Sequence, residues 1–79
     1  MVAYGVSSVP KHRRALGDNL RANRKLRKLT QEKLAEKAGL SVVFLSLLEN
    51  GRRTASFDSL VRIARALNVG LDDLFHGIR

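Results

Sequence analysis

Apolar residues recur along most of this chain at intervals of three and four, the spacing of one buried stripe on an α-helix. From Ala15 the pattern predicts a first helix over roughly 15–27, with Leu16, Leu20 and Arg24 at i, i+4 and i+8 of the stripe. Thr30 is suited to cap a short second helix, whose inward positions are Leu34, Ala35 and Ala38. Glu32 stands near its positive end, and Gly39 follows the last periodic residue, where a left-handed ending favours glycine. Ser41 caps a third helix, which Gly51 closes after Asn50. Ser56 caps a fourth over 57–67, with Leu60, Ile63, Ala64 and Leu67 inward and Asn68 as its left-handed stop. Beyond Val69 and Gly70 a last short helix presents Leu71, Leu74, Phe75 and Ile78. No run reads as a strand. The expected fold is all-α, a compact five-helix bundle.

The periodicity fails only at the start. Gly5, Ser7, Ser8 and Pro10 interrupt residues 1–13, so 1–14 reads as a flexible basic arm ending in Lys11, Arg13 and Arg14. Residues 15–79 then form the folded domain. The arm's cations suit phosphates or the minor groove, with non-specific attraction as the plainer alternative.

Two features of the pattern ask for an explanation. Arg24 lies in an apolar stripe, and a buried charge needs a carboxylate partner. The third helix, within SVVFLSLLENG, lacks a polar face. At about 100° per residue, Phe44, Leu45 and Leu48 point one way, and Val42, Val43, Ser46, Leu47 and Asn50 point the other.

The segment TQEKLAEKAGLSVVFLSLLENG supplies a context for that face. It places a short helix, a glycine-containing turn and a second short helix in succession, the layout that offers its second helix to the DNA major groove. Ala35, Leu40, Leu45 and Leu48 can meet between the two helices, and alanine at 35 lets them approach.

Taken with its flanks, this segment resembles the phage-repressor and Xre-type helix-turn-helix regulators. The matching stretches are LGDNLRANR at 16–24, LTQEKLAEKAGLS at 29–41, FLSLLENG at 44–51 and SFDSLVRIARALNVGLDDLF at 56–75. The resemblance implies a repressor-like five-helix domain, usually dimeric on palindromic operators. It pairs Arg24 with Glu49 as a structural ion pair, which supplies the partner the stripe requires. It assigns base reading to Val42, Val43, Ser46 and Leu47. Contacts to the DNA backbone fall on Thr30, Gln31, Ser41, Asn50, Arg52, Arg53 and Thr54. The dimer contact falls on Leu71, Leu74, Phe75 and Ile78, with closure of the protomer's own core as the plainer alternative. Base-reading positions in this family are more often Arg, Gln, Asn, Ser or Thr. Valine and leucine cannot hydrogen-bond a base edge but can pack on thymine methyls, so T-rich positions are expected in each half-site. Lys28 stands where a helix-ending glycine is frequent, at a cost of about 1 kcal/mol if the backbone there is left-handed. Ala55 and Asn23 replace a frequent proline and a frequent apolar residue.

Composition narrows the partners. Fifteen Lys and Arg against seven Asp and Glu give +8, and ten of the basic residues lie in 1–39. Such a balance points to a polyanion, nucleic acid first and an acidic membrane surface second. There is no cysteine, so neither a disulfide nor a thiolate metal site is available. No apolar run approaches the ~18 residues of a membrane span, and the start does not read as a secretory signal. His12 and His76 lack partners at metal-ligand spacing, and Asp72 and Asp73 splay apart on a helix, where Asp72 suits the helix start. No nucleophile–base motif or phosphate-binding glycine loop is present. The chain therefore reads as no enzyme, with no metal, cofactor or small-molecule ligand. The expected function is a sequence-specific transcriptional regulator, a small stand-alone homodimer on a palindromic operator, cytoplasmic and nucleoid-associated. Small controllers of restriction–modification systems and small phage or plasmid repressors share this size and pattern. The competing readings are a protein-interaction module, antitoxin- or coactivator-like, docking through the apolar face of the third helix, and a nonspecific nucleic-acid binder.

Overall fold

The computed structural model describes residues 9–79, and the first eight residues of the expected arm lie outside that range. Five helices follow one another: α1 (Lys11–Leu26), α2 (Gln31–Ala38), α3 (Val42–Glu49), α4 (Phe57–Leu67) and α5 (Leu71–Leu74). No strand interrupts them among the described residues.

Local chemistry sets the ends. A side-chain oxygen caps three of the helices: Thr30 accepts from the Lys33 amide, Ser41 from Phe44 and Ser56 from Ser59, all at 3.0–3.1 Å. Each satisfies one of the donors that a helix start leaves unpaired. Gly39 and Asn68 end α2 and α4 in the left-handed region, at φ 70° and 58°. At α5 the carboxylate of Asp73, not Asp72, accepts from the Gly70 amide at 3.0 Å.

The first helix corrects the expected boundary. It begins at Lys11, so Lys11, Arg13 and Arg14 form its first turn and are not the end of a flexible arm. Proline lacks the amide hydrogen that a helix start cannot use, so Pro10 introduces α1 instead of breaking it. The Pro10 carbonyl accepts from the amides of Arg13 and Arg14. The turn after α3 also rests on this extra helix: a Cβ at Gly51 would press on Val9 and on the Arg14 backbone.

Leu20, Leu34, Leu45, Leu48, Ile63, Leu67 and Leu74 are fully buried and form the centre of the core. Through it α2 packs on α3 and α4, α1 on α3 and α5, and α4 on α5. Gly17 lets α1 approach closely, because a Cβ there would overlap the backbone oxygens of Leu48 and Glu49. Asn19 ties down the C-terminal turn by donating to the carbonyls of Leu74 (2.9 Å) and His76 (2.8 Å). Leu74 is thus a core residue of the protomer, a correction to its expected place in a dimer contact. An apolar side chain on the inner stripe of so short a helix closes the protomer's own core before it can serve a partner.

Candidate DNA-binding surface

Helix α3 has two unlike faces. Leu45, Leu48 and Glu49 are buried, while Val42 and Val43 are exposed by 36% and 66%. Ser46 is half-buried, and so is Leu47, which was expected to project freely. The chain turns back over this end of the helix, with the Arg52 amide donating to the Leu47 carbonyl at 2.9 Å. Of the side chains expected to read bases, the two valines are therefore the prominent ones.

The buried end of α3 is held by charge. Arg24 grips Glu49 with two parallel bonds, Nε to Oε2 at 2.7 Å and Nη2 to Oε1 at 3.1 Å. Its remaining Nη1 donates to the Leu29 carbonyl at 2.8 Å. Paired forks of this kind are the strong form of an ion pair, and full pairing offsets the loss of water around both charges. Gln31 and Arg21 add donors to Glu49 Oε1 at 3.0 and 3.4 Å. Burial alone would raise the Glu49 pKa. The hydrogen bonds from Arg24, Gln31 and Arg21, with the Arg24 charge, outweigh it and hold the carboxyl below its ordinary value.

Of the polar side chains expected to meet the DNA backbone, Gln31 and Asn50 touch this frame. Thr30 and Ser41 are exposed at the starts of α2 and α3, each with its hydroxyl oxygen engaged as a cap. Gln31 is half-buried, and one of its amide protons is committed to Glu49, so the residue supports the frame as well as the surface. Asn50, Arg52, Arg53 and Thr54 are exposed beyond α3. Arg53 lies over the Phe44 ring, 5.4 Å from its centroid, which restrains a long flexible cation.

Three contributors escaped the sequence reading: Gly17, Asn19 and Arg21. A glycine inside a helical pattern was a visible signal of close approach. Nothing in the periodicity marked Asn19 or Arg21, whose partners lie 28 or more residues away.

Residues 20–74 match the helix-turn-helix family HTH_3. The chain belongs to this helix-turn-helix family. Among its relatives, the immunity repressor protein of Bacillus phage phi105 is 44% identical over 54 residues, covering 68% of this chain and 38% of its own length. Control protein C.SmaI of Serratia marcescens is 34% identical over 59 residues, covering 75% and 70%. An uncharacterized helix-turn-helix regulator of Bacillus subtilis, YqaE, is 37% identical over 60 residues, and this chain spans 52% of its length. The fold is similar to that of the restriction–modification controller C.AhdI from Aeromonas hydrophila. That structure gives a TM-score of 0.77 at 32% identity, with 78% of this chain and 94% of that one covered. The clp gene regulator ClgR of Corynebacterium glutamicum gives 0.79 at 36% identity, covering 84% and 70%. The chain thus carries the helix-turn-helix DNA-binding domain of a family of transcriptional regulators, which are not enzymes. No helix among the described residues is long and apolar enough to cross a membrane.

Proposed function

We propose that the protein is a sequence-specific transcriptional regulator that binds a palindromic operator as a homodimer, with α3 of each protomer in the major groove. The observation that carries this reading is the exposure of Val42 and Val43 at the head of a capped, rigidly held α3 within a helix-turn-helix. Two valines there favour thymine methyls over hydrogen-bonded base edges, with backbone register and DNA shape supplying further selectivity. Exposed Arg52 and Arg53 and the exposed starts of α2 and α3 support contacts to phosphates. Phe75, 39% exposed beside half-buried Leu71 and Ile78, supports a contact between protomers. A controller protein and a phage repressor among the relatives agree with a regulator of this kind.

Selection from a random DNA library, with affinity followed against salt, tests the reading. A palindromic consensus with thymines in each half-site is expected. Val43→Ala should relax preference at one position. Arg52→Ala should weaken all sequences alike and reduce the salt slope by about one. Equal binding of competitor DNA with no consensus overturns it in favour of a nonspecific binder. If the valine variant leaves DNA selection intact but abolishes a complex with another protein, the exposed face is a protein-docking surface instead.

A further inference from the structure

The C-terminal end of α3 lacks a cation of its own. No basic residue stands in its last turn. Its carbonyls form the negative end of the helix dipole, and Glu49 adds a full anion. Arg24 neutralises Glu49 from α1, and Arg21 reaches across from the same helix to the residue beyond it. Its Nη2 donates to the Asn50 side-chain oxygen at 2.8 Å and to the Glu49 backbone oxygen at 3.4 Å, and its Nε donates to Glu49 Oε1 at 3.4 Å. The bond to Asn50 is the short one, within the range of a hydrogen bond from a charged donor.

That bond fixes more than position. A guanidinium carries donors only, so the amide facing it must present its oxygen. The opposite orientation would set N–H groups against N–H groups. Asn50 is exposed, and among the described residues its Nδ2 has no protein acceptor. The side chain therefore turns its amide protons to solvent, and Arg21 takes one of the two lone pairs of its oxygen.

We propose that Arg21 is a positioning residue that fixes the Asn50 amide with its donor toward DNA, an inference that rests on the DNA-binding reading of α3. Held this way, Asn50 meets an acceptor: a phosphate oxygen, O6 or N7 of guanine, or O4 of thymine. A paired donor–acceptor contact with adenine would have to share the amide oxygen with Arg21.

The test combines Arg21→Met, Asn50→Ala and the double variant, measured on DNA selected by the unmodified protein, with side-chain amide NMR of the free protein. Ordered Asn50 amide protons are expected in the unmodified protein, with averaging in Arg21→Met. Each single change should weaken binding about tenfold, and the double change also about tenfold, not a hundredfold. Arg21→Lys keeps the charge but not the planar fork. It should preserve the salt slope and still lose the contribution of Asn50, and it carries the test if Arg21→Met does not fold. A loss at one base position after Asn50→Ala identifies a base acceptor, and a uniform loss identifies a phosphate. Multiplicative effects in the double variant overturn the proposal, as does an Asn50 amide that is mobile in the unmodified protein. If that protein selects no DNA at all, the donor contact falls together with the DNA-binding reading. The free-protein amide spectrum then still decides whether Arg21 holds Asn50.

Discussion

Glu49 accepts from Arg24, Gln31 and Arg21 with only 1% of its surface exposed. Because its folded pKa is lowered, its contribution to stability is present above the unfolded carboxylate value of about 4.3 and is lost as pH falls through the lower folded value. Glu49→Gln should reduce stability at pH 7 by about 3 kcal/mol, since Arg24 stays buried without its counter-charge. Denaturant unfolding at pH 7 and pH 3 checks this, and the variant should lose less on acidification than the unmodified protein. Equal losses would show that the carboxylate is not a significant source of the acid sensitivity. At Lys28 backbone and side chain disagree. It holds φ 58° at the end of α1, the conformation that its place in the sequence made suspect. Lys28→Gly should raise stability by about 0.5–1 kcal/mol in thermal melts, because glycine occupies this region without strain. That Arg24 needs a partner was legible from an arginine in a leucine stripe, and the family resemblance supplied Glu49 as that partner. Arg21 was not legible, because an arginine on the edge of a helix looks like any solvated cation until the fold brings Asn50 to it.

At the scale of elements, the caps were the most readable features. Thr30, Ser41 and Ser56 act within three residues of themselves, so short-range chemistry alone determines them. The start of α1 was misread because Pro10 both breaks a preceding pattern and opens a following helix, and the residues that stabilise the opening belong to a distant turn. Gly51 packs on Arg14 and Val9, contacts that periodicity does not encode. Gly17 shows the same limitation with an energetic sign. Alanine in a helix interior ordinarily stabilises by about 0.5–1 kcal/mol relative to glycine. Here a Cβ would collide with the α3 backbone, so Gly17→Ala should destabilise, by about 1–3 kcal/mol in denaturant unfolding. A stabilised variant would show that α1 and α3 can separate without cost. Such separation would also pull on Glu49 and Arg24, because the same two helices carry the ion pair.

For the whole molecule, the hydrophobic pattern was sufficient for the five-helix bundle and for most of its core, but it could not apportion the C-terminal apolar residues. Leu74 is consumed by the protomer, whereas Phe75 retains exposed surface. On the homodimer reading, Phe75→Glu should shift sedimentation toward the monomer and weaken operator binding at low protein concentration. It should lower the melting temperature only through loss of the dimer, so that the melt no longer depends on protein concentration. Unchanged sedimentation would place the protomer contact elsewhere. The net charge of +8 is a property of the same scale and should make affinity fall steeply with salt for any DNA sequence. Helix α3 separates what the fold needs from what a target sees. Leu45, Leu48 and Glu49 are bound into the interior, while Val42 and Val43 contribute nothing to it that another side chain could not. The two valines can therefore drift, or be reprogrammed by design, without disturbing the scaffold. On the DNA-binding reading, new operator preferences should be accessible in single substitutions, through intermediates that remain folded.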